Sequence, residues 1–461
     1  MTSASVRGCW TCKDRRKKCD GRRPSCYACE RLQLECKGYQ QRLLWEDDDI
    51  RVGMRRRGWR RKCTNEHGSI NSIMTTDTPA EYAGKNSSAL SRTLPPVAAE
   101  EALSSPESLL LEWYANKFAV SYPSFPTARN PFISAILPIA MQTPSLMKAT
   151  LAVAGTQACR EQPHLLPATL QCRIDALKGL RKMLLYNSVH TGSTQDIIAA
   201  LASSLMLFIY EKIECEERAL RSHISYAASL VARLVTSCEE FNDEAQFLVR
   251  LFIHNDVYAS FALRTRPALD CVPASRLEPI LPDNTFPRMM ASISRLASAG
   301  PIVEEREDAQ KLLNALRVWK PSMDWIPSGL RSKPTEAMGI CARVHRCAAM
   351  TTLERLLGRS PDDSTIYDSI EDLFRVPESD PITASLLWPT LALGAEAKDS
   401  RQRQGLKVRL QNLADKTGYK QYSKAVQLLE DCWISSARCG DSGICWIDVM
   451  HNTGNVILGA L

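Results

Sequence analysis

Cys9, Cys12, Cys19, Cys26, Cys29 and Cys36 stand in the pattern C-x2-C-x6-C-x6-C-x2-C-x6-C. The first three and the last three share one internal spacing, offset by 17 residues. A lone CxxC is shared with redox motifs, but two of them, each followed by a third cysteine at one fixed distance, point to a metal. A structural zinc takes four thiolates in a tetrahedron. Six cysteines fill one such site with two left over, or close two sites if two sulfurs bridge. The repeat nominates its equivalent first members, Cys9 and Cys26, as the bridges. No histidine lies in the window, which excludes a mixed Cys/His finger. Three disulfides, or a zinc store without a nucleic-acid partner, are the alternatives. Both leave unexplained the basic residues packed between the cysteines. The start MTSASVRGCW also lacks an apolar secretory stretch, so a reducing compartment is expected.

Charge separates the two halves of the repeat. Residues 1–62 hold 18 Lys and Arg against 8 Asp and Glu, whereas residues 63–461 hold 40 against 43. A basic head on a near-neutral body suggests a polyanion partner for the head alone. Within the head, CKDRRKKC at 12–19 is nearly all basic and about two helical turns long. CERLQLEC at 29–36 is mixed, with Glu30, Leu32, Leu34 and Glu35. Only the first can face phosphate at low cost. Lys13, Arg15, Arg16, Lys17 and Lys18 are therefore the candidate DNA-binding residues. They also offset a cluster that carries about −2 with two Zn²⁺ on six thiolates. A short helix of this kind fits the major groove, where arginine pairs with guanine O6 and N7.

The stretch RGCWTCKDRRKKCDGRRPSCYACERLQLECKGY resembles the fungal binuclear zinc-cluster domain of transcription factors, over the whole of residues 9–36. The resemblance implies two zinc ions in a six-cysteine cluster whose first and fourth cysteines bridge. It also implies that the family's basic positions fall on Lys13, Arg15, Arg16 and Lys18, and the proline of its connecting loop on Pro24. The fourth residue after Cys12, here Arg16, would read a CGG triplet. The family usually has lysine there. Arg15 and Lys18 would mostly hold phosphates.

The elements that must carry this head are of a different kind. GYQQRLLW follows Cys36 and resembles a continuation common in one branch of the family. Asp47, Asp48 and Asp49 then break the positive field, and Arg55, Arg56, Arg57, Arg60, Arg61 and Lys62 crowd around Trp59. Such a run is a nuclear import signal, a phosphate contact, or both. Residues 38–105 show no sustained apolar heptads, so no coiled coil is expected there. Residues 63–105, rich in Ser, Thr and Ala, read as a flexible linker. A helix start appears at Ser105-Pro106-Glu107, and from there the apolar period is helical almost throughout. Five segments of four to five turns stand out, within 145–160, 169–186, 194–212, 217–235 and 244–262. The longest apolar-and-small run, 197–209, is 13 residues. A membrane span needs about 20, so a buried helix is expected. Residues 105–270 resemble the fungal-specific transcription factor regulatory domain. NPFISAILPIAMQTPSLMKATLAVAG is similar to its opening. ERALRSHISYAASLV keeps the histidine of a recurring Trp-x-x-His segment as His223, with Leu220 in place of tryptophan and Tyr226 in place of glycine.

The expected architecture is thus a small binuclear zinc-cluster domain with two short helices over 9–36, a linker over 37–104 with the basic cluster 55–62, and a large all-α domain over 105–461. No HExxH, P-loop, GxSxG or GxGxxG occurs, and His223 and the scattered later cysteines read as core. The chain is therefore not read as an enzyme. The acidic-apolar segment 362–380 has the composition of an activation segment and equally of an amphipathic surface helix, the reading favoured here. The expected function is a nuclear, sequence-specific regulator of RNA polymerase II genes in a metabolic or secondary-metabolite pathway. Its partners would be double-stranded DNA, the transcription machinery and a second copy or a different chain as dimer partner, with no membrane. The alternative is a zinc module that serves as an interaction platform without specific DNA binding.

Overall fold

The computed structural model describes residues 9–36 except 10, 13, 14, 16, 23, 24 and 35. It then describes residues 103–457 except 124–129, 190–192, 238–240, 279, 281–284, 300–304, 321–334, 440–444 and 455–456. The chain divides into two units, Met1–Val97 and Ala98–Leu461.

Among the described residues of the first unit, the interior is made of sulfur. Cys9, Cys12, Cys26 and Cys29 are buried against one another, with Cys19, Ala28 and Cys36 packed around them. Among its described residues, regular structure is a helical turn at Thr11 and Cys12 and the one-turn helix Tyr27–Glu30. So small a module cannot bury enough apolar surface to hold itself together.

The second unit contains helices and no strand among the described residues. Its longer helices are α1 (Ser105–Trp113), α2 (Leu137–Gln142), α3 (Pro144–Glu161), α4 (Leu166–Val189), α5 (Thr194–Glu214), α6 (Glu217–Ser237) and α7 (Asp243–Leu263). They continue as α8 (Phe286–Ala299), α9 (Glu305–Val318), α10 (Glu336–Leu356), α11 (Asp363–Arg375), α12 (Leu387–Gly394), α13 (Ser400–Thr417), α14 (Lys420–Cys439) and α15 (Trp446–Thr453). Sequence punctuation sets their ends. Ser193 and Asp196 form a reciprocal capping box at α5, and the Asn242 side chain accepts the Ala245 N–H at α7. At α1 the cap is Ser104, one residue earlier than the sequence suggests, because Glu107 reaches back to accept the Ser104 N–H. Pro163 opens a 3-10 turn, and Pro167 falls in the first turn of α4.

The apolar run becomes the axis of this unit. Every residue from Ile197 to Ile213 on α5 is buried. α3 packs on α4 and α5, and α6 packs on α5. α3 and α4 approach closely at two glycines. A Cβ on Gly155 would collide with the Thr169 side chain, and one on Gly179 with Ser145. The acidic segment resolves into α11, whose Ile366, Ile370 and Leu373 are buried against the body. Two of its acids are paired, Asp372 with Arg343 and Asp363 with Lys398. Paired carboxylates on a packed helix make it a structural element of the surface.

Candidate zinc cluster and nucleic-acid face

The two halves of the cysteine repeat build the same turn twice. The Cys12 N–H donates to Cys9 Sγ (3.4 Å) and the Cys29 N–H to Cys26 Sγ (3.3 Å). Each CxxC thus folds over its own first sulfur, and Cys26 caps the helix Tyr27–Glu30 in doing so. The turns face each other across a tight sulfur cage. Cys9 Sγ lies 3.5 Å from Cys26 Sγ, and Cys12 Sγ lies 3.6 Å from Cys26 Sγ. Disulfide sulfurs would be about 2.05 Å apart; none of the six cysteines is in a disulfide. A tetrahedral zinc with bonds of about 2.3 Å sets its sulfurs roughly 3.8 Å apart.

The sulfurs fall into two groups of four, Cys9–Cys12–Cys19–Cys26 and Cys9–Cys26–Cys29–Cys36, each within 4.8 Å of one another. Cys9 and Cys26 belong to both groups, which is the sharing that two zincs on six cysteines require. The donors are all soft thiols, the ligand set zinc prefers. Burial pushes the Cys9 and Cys12 thiols up, and the Cys26 thiol up to about 12. Thiols so placed ionise only against a cation. The residues fit two zinc ions, which the six cysteines hold; the ions supply the stability that this module lacks.

Outside the cage the two halves differ. Arg15, Lys17 and Lys18 are exposed. The Arg15 N–H bonds to the Thr11 carbonyl (3.2 Å) and the Lys17 N–H to the Cys12 carbonyl (2.9 Å), so this basic segment winds outward from the first CxxC. Lys13 and Arg16 lie outside the described residues, as do Arg55, Arg56, Arg57, Arg60, Arg61 and Lys62. The second half shows Tyr27, Leu32 and Leu34 to solvent.

Two contacts across the repeat were not read from the sequence. Asp20 Oδ2 accepts the Tyr27 N–H (3.2 Å), and Arg22 pairs with Glu30 (3.5 Å). Burial works against the Asp20 carboxylate, but main-chain N–H groups, led by that of Tyr27, hold it below the usual carboxylate range. An acid placed directly after Cys19 was the available signal. In the second unit, His223 is buried, and burial, with Arg173 nearby, pushes its imidazole down to about 4. It is therefore neutral core. Cys341, Cys347 and Cys445 are buried as well, but Cys271 is exposed and Cys159 and Cys215 are only partly buried, so not all of the later cysteines are core.

These features define a protein with a thiolate zinc cluster at one end and a helical body at the other. The fungal Zn(2)-Cys(6) binuclear cluster domain matches residues 7–46, and the fungal specific transcription factor domain matches residues 108–459. The chain belongs to the fungal specific transcription factor domain family. It is 24% identical over 272 residues, 48% of its length, to pestheic acid cluster transcriptional regulator 3 of Pestalotiopsis fici, of which the match covers 47%. Over 38 residues, 8% of the chain, it is 53% identical to arginine metabolism regulation protein II of Saccharomyces cerevisiae, covering 4% of that protein. Over 51 residues, 11% of the chain, it is 45% identical to transcriptional regulatory protein pro1 of Neurospora crassa, covering 7%. The chain thus spans less than half the length of these relatives. No solved structure matches it. Among the described residues, no helix is long and apolar enough to cross a membrane.

Proposed function

We propose that this protein is a nuclear, sequence-specific DNA-binding transcription factor that regulates RNA polymerase II genes of a metabolic or secondary-metabolite pathway. The observation that carries the reading is the thiol cage, which presents Arg15, Lys17 and Lys18 outward from one half of the module. A short basic turn fits the major groove. The relatives' names, one tied to pestheic acid and one to arginine metabolism, support the pathway class. In this reading Arg16 pairs with a guanine of a CGG-type triplet, and Lys13, Arg15, Lys17 and Lys18 hold register on the phosphates. The run Arg55, Arg56, Arg57, Arg60, Arg61 and Lys62 serves import or phosphate contact.

The test is titration of the full-length, zinc-loaded protein onto CGG-containing and scrambled duplexes at two salt concentrations. Arg16→Ala is expected to cost about 1–3 kcal/mol on the CGG site and to flatten the preference among triplets. Equal weakening on both duplexes would remove the base-reading role. Equal binding of both duplexes by the unaltered protein would favour the interaction-platform alternative.

A further inference from the structure

Among the described residues, two π-helical turns stand at the start of the helical body. The first, Tyr114–Phe118, continues α1, and the Ala119 N–H reaches back five residues to the Tyr114 carbonyl. The second, Phe132–Ile136, leads into α2. Such turns hold one residue more than an α-turn, are rare and recur at functional sites. The Tyr114 hydroxyl ties the two together by donating to the Phe132 carbonyl (3.0 Å). From the first turn a ladder of rings runs inward, Tyr114 on Phe118 (5.6 Å) and Phe118 on Tyr122 (4.9 Å). The ladder ends at Lys212 of α5. Its Nζ lies 5.5 Å from the centre of the Tyr122 ring and 6.0 Å from that of Phe208. Lys212 is 1% exposed, and its Nζ donates to Asn255 Oδ1 (2.7 Å).

This site suits an amine better than an ammonium. Rings and an amide oxygen stand where a charge needs water. The acids next to Lys212 in the chain are engaged, Glu211 with Arg173 of α4 (3.0 Å) and Glu214 with Lys420 of α14 (2.6 Å). On α3, Lys148 is paired with Glu107, and Arg160 donates to the Asp415 carbonyl. His223 of α6 and His254 of α7 are kept neutral at pH 7 by burial. Asp256 of α7 accepts the Ala268 and Leu269 N–H groups (2.9 and 2.7 Å). The phenols of Tyr122 and of Tyr419 on the α13–α14 turn are pushed up by burial and stay neutral. Burial lowers Lys212 from 10.5 to about 7.

We propose that Lys212 and the π-turn Tyr114–Phe118 form a proton-operated hinge at the point where the linker enters the body. Helix α1 is the first element after residues 37–104, so whatever loosens it loosens the tether of the zinc module. When Lys212 takes a proton, the contact that yields is the one with Tyr122. That ring sits just past the three-residue helix Ala119–Ser121, beyond the π-turn. Drawing the extra residue of the π-turn into an α-turn rotates Tyr122 by about 100° about the helix axis, and the ammonium gains a path to water. The packed segment prefers the amine and the opened one the ammonium. By linkage, the open fraction falls about tenfold for each pH unit well above 7 and levels off below it. Asp256 and His254 titrate under this window, near 6 and near 3.

The test is hydrogen exchange, read by mass spectrometry and corrected for intrinsic rates. It uses full-length, zinc-loaded protein without DNA, so its outcome is independent of the DNA reading. Amides of 114–122 are expected to exchange faster than those of α13 at pH 7, through a local opening. Their protection should rise about fiftyfold between pH 7 and 9. Lys212→Met should keep them protected at both pH values, and Lys212→Gln serves where the methionine fails to fold. His254→Gln should leave the wild-type rise in place. The hinge is overturned if 114–122 open only together with α13. It is equally overturned by a rise that survives the loss of Lys212, or by one that His254→Gln abolishes.

Discussion

The zinc module and the helical body solve one problem, the entropy of ordering a chain, by different physics. In the module four buried cysteines take the place of a core, and the forces that matter are bonds to metal. In the body, α5 alone buries an unbroken run from Ile197 to Ile213, and the force is removal of apolar surface from water. The first solution is concentrated in a few strong bonds. The second is spread over many small contributions, so a single defect costs it a smaller share.

The sharpest break in that comparison is removal of the metal. Chelation should unfold the module and abolish DNA binding while far-ultraviolet circular dichroism, dominated by the body, barely changes. Structural zinc contributes about 10–16 kcal/mol in comparable modules, more than so small a unit can lose. Metal analysis should return two zinc ions per chain. Cys9→Ala or Cys26→Ala should be the most damaging single changes, since each removes a ligand from both sites. One zinc per chain with all six cysteines reduced would break the shared-ligand arrangement.

The next effect belongs to the body and to pH. Lys212 is buried on α5, its Nζ donating to Asn255 Oδ1 (2.7 Å) and lying over the Tyr122 ring (5.5 Å). Burial lowers it from 10.5 to about 7. His254 nearby is pushed down to about 3, by burial first and then by Lys212 and His345, and is neutral at pH 7. The folded chain therefore binds fewer protons at Lys212 than the unfolded chain between pH 7 and 10.5. Stability from this group climbs as pH rises through that window and is lowest below it, a swing on the order of 5 kcal/mol. Denaturant melts of wild type and Lys212→Met at pH 7 and 9 isolate it. The substitution should flatten the difference, whereas identical slopes in both proteins would show that Lys212 keeps its proton in the fold.

Smaller is the close approach of α3 and α4. Gly179→Ala should cost about 1–3 kcal/mol, because the new methyl meets Ser145 on a packed helix. Zinc content should stay at two, which separates the two solutions directly. Smallest is Arg15→Gln. It should leave stability unchanged and lower the slope of log affinity against log salt by about 0.9 if one phosphate contact is lost.

The module was legible because its chemistry is local. Metal ligation is written as fixed intervals between cysteines, and the symmetry of the repeat nominates Cys9 and Cys26 as the shared members; which cysteines complete each group of four is read from the structure. The long helices were legible for a similar reason: period and caps are short-range, and 194–212 differs from α5 by two residues at one end. What was not legible lies between elements. Nothing in the pattern tells that Lys212 meets Asn255 or that Gly179 passes Ser145. The acids of 362–380 were readable two ways because composition does not state whether Arg343 and Lys398 stand within reach.

Exposure of the six sulfurs is uneven. Cys9, Cys12, Cys26 and Cys29 are buried, while Cys19 and Cys36, the third member of each half, are partly open. An oxidant or alkylating agent therefore meets a terminal ligand of one zinc before it can reach a bridge. Damage should begin at a single corner of the cage, releasing one ion while the four remaining thiolates of the other site still hold theirs. The cluster then has a graded order of disassembly, with a one-zinc species on the way, and thiol labelling followed by mass spectrometry should find Cys19 and Cys36 modified first.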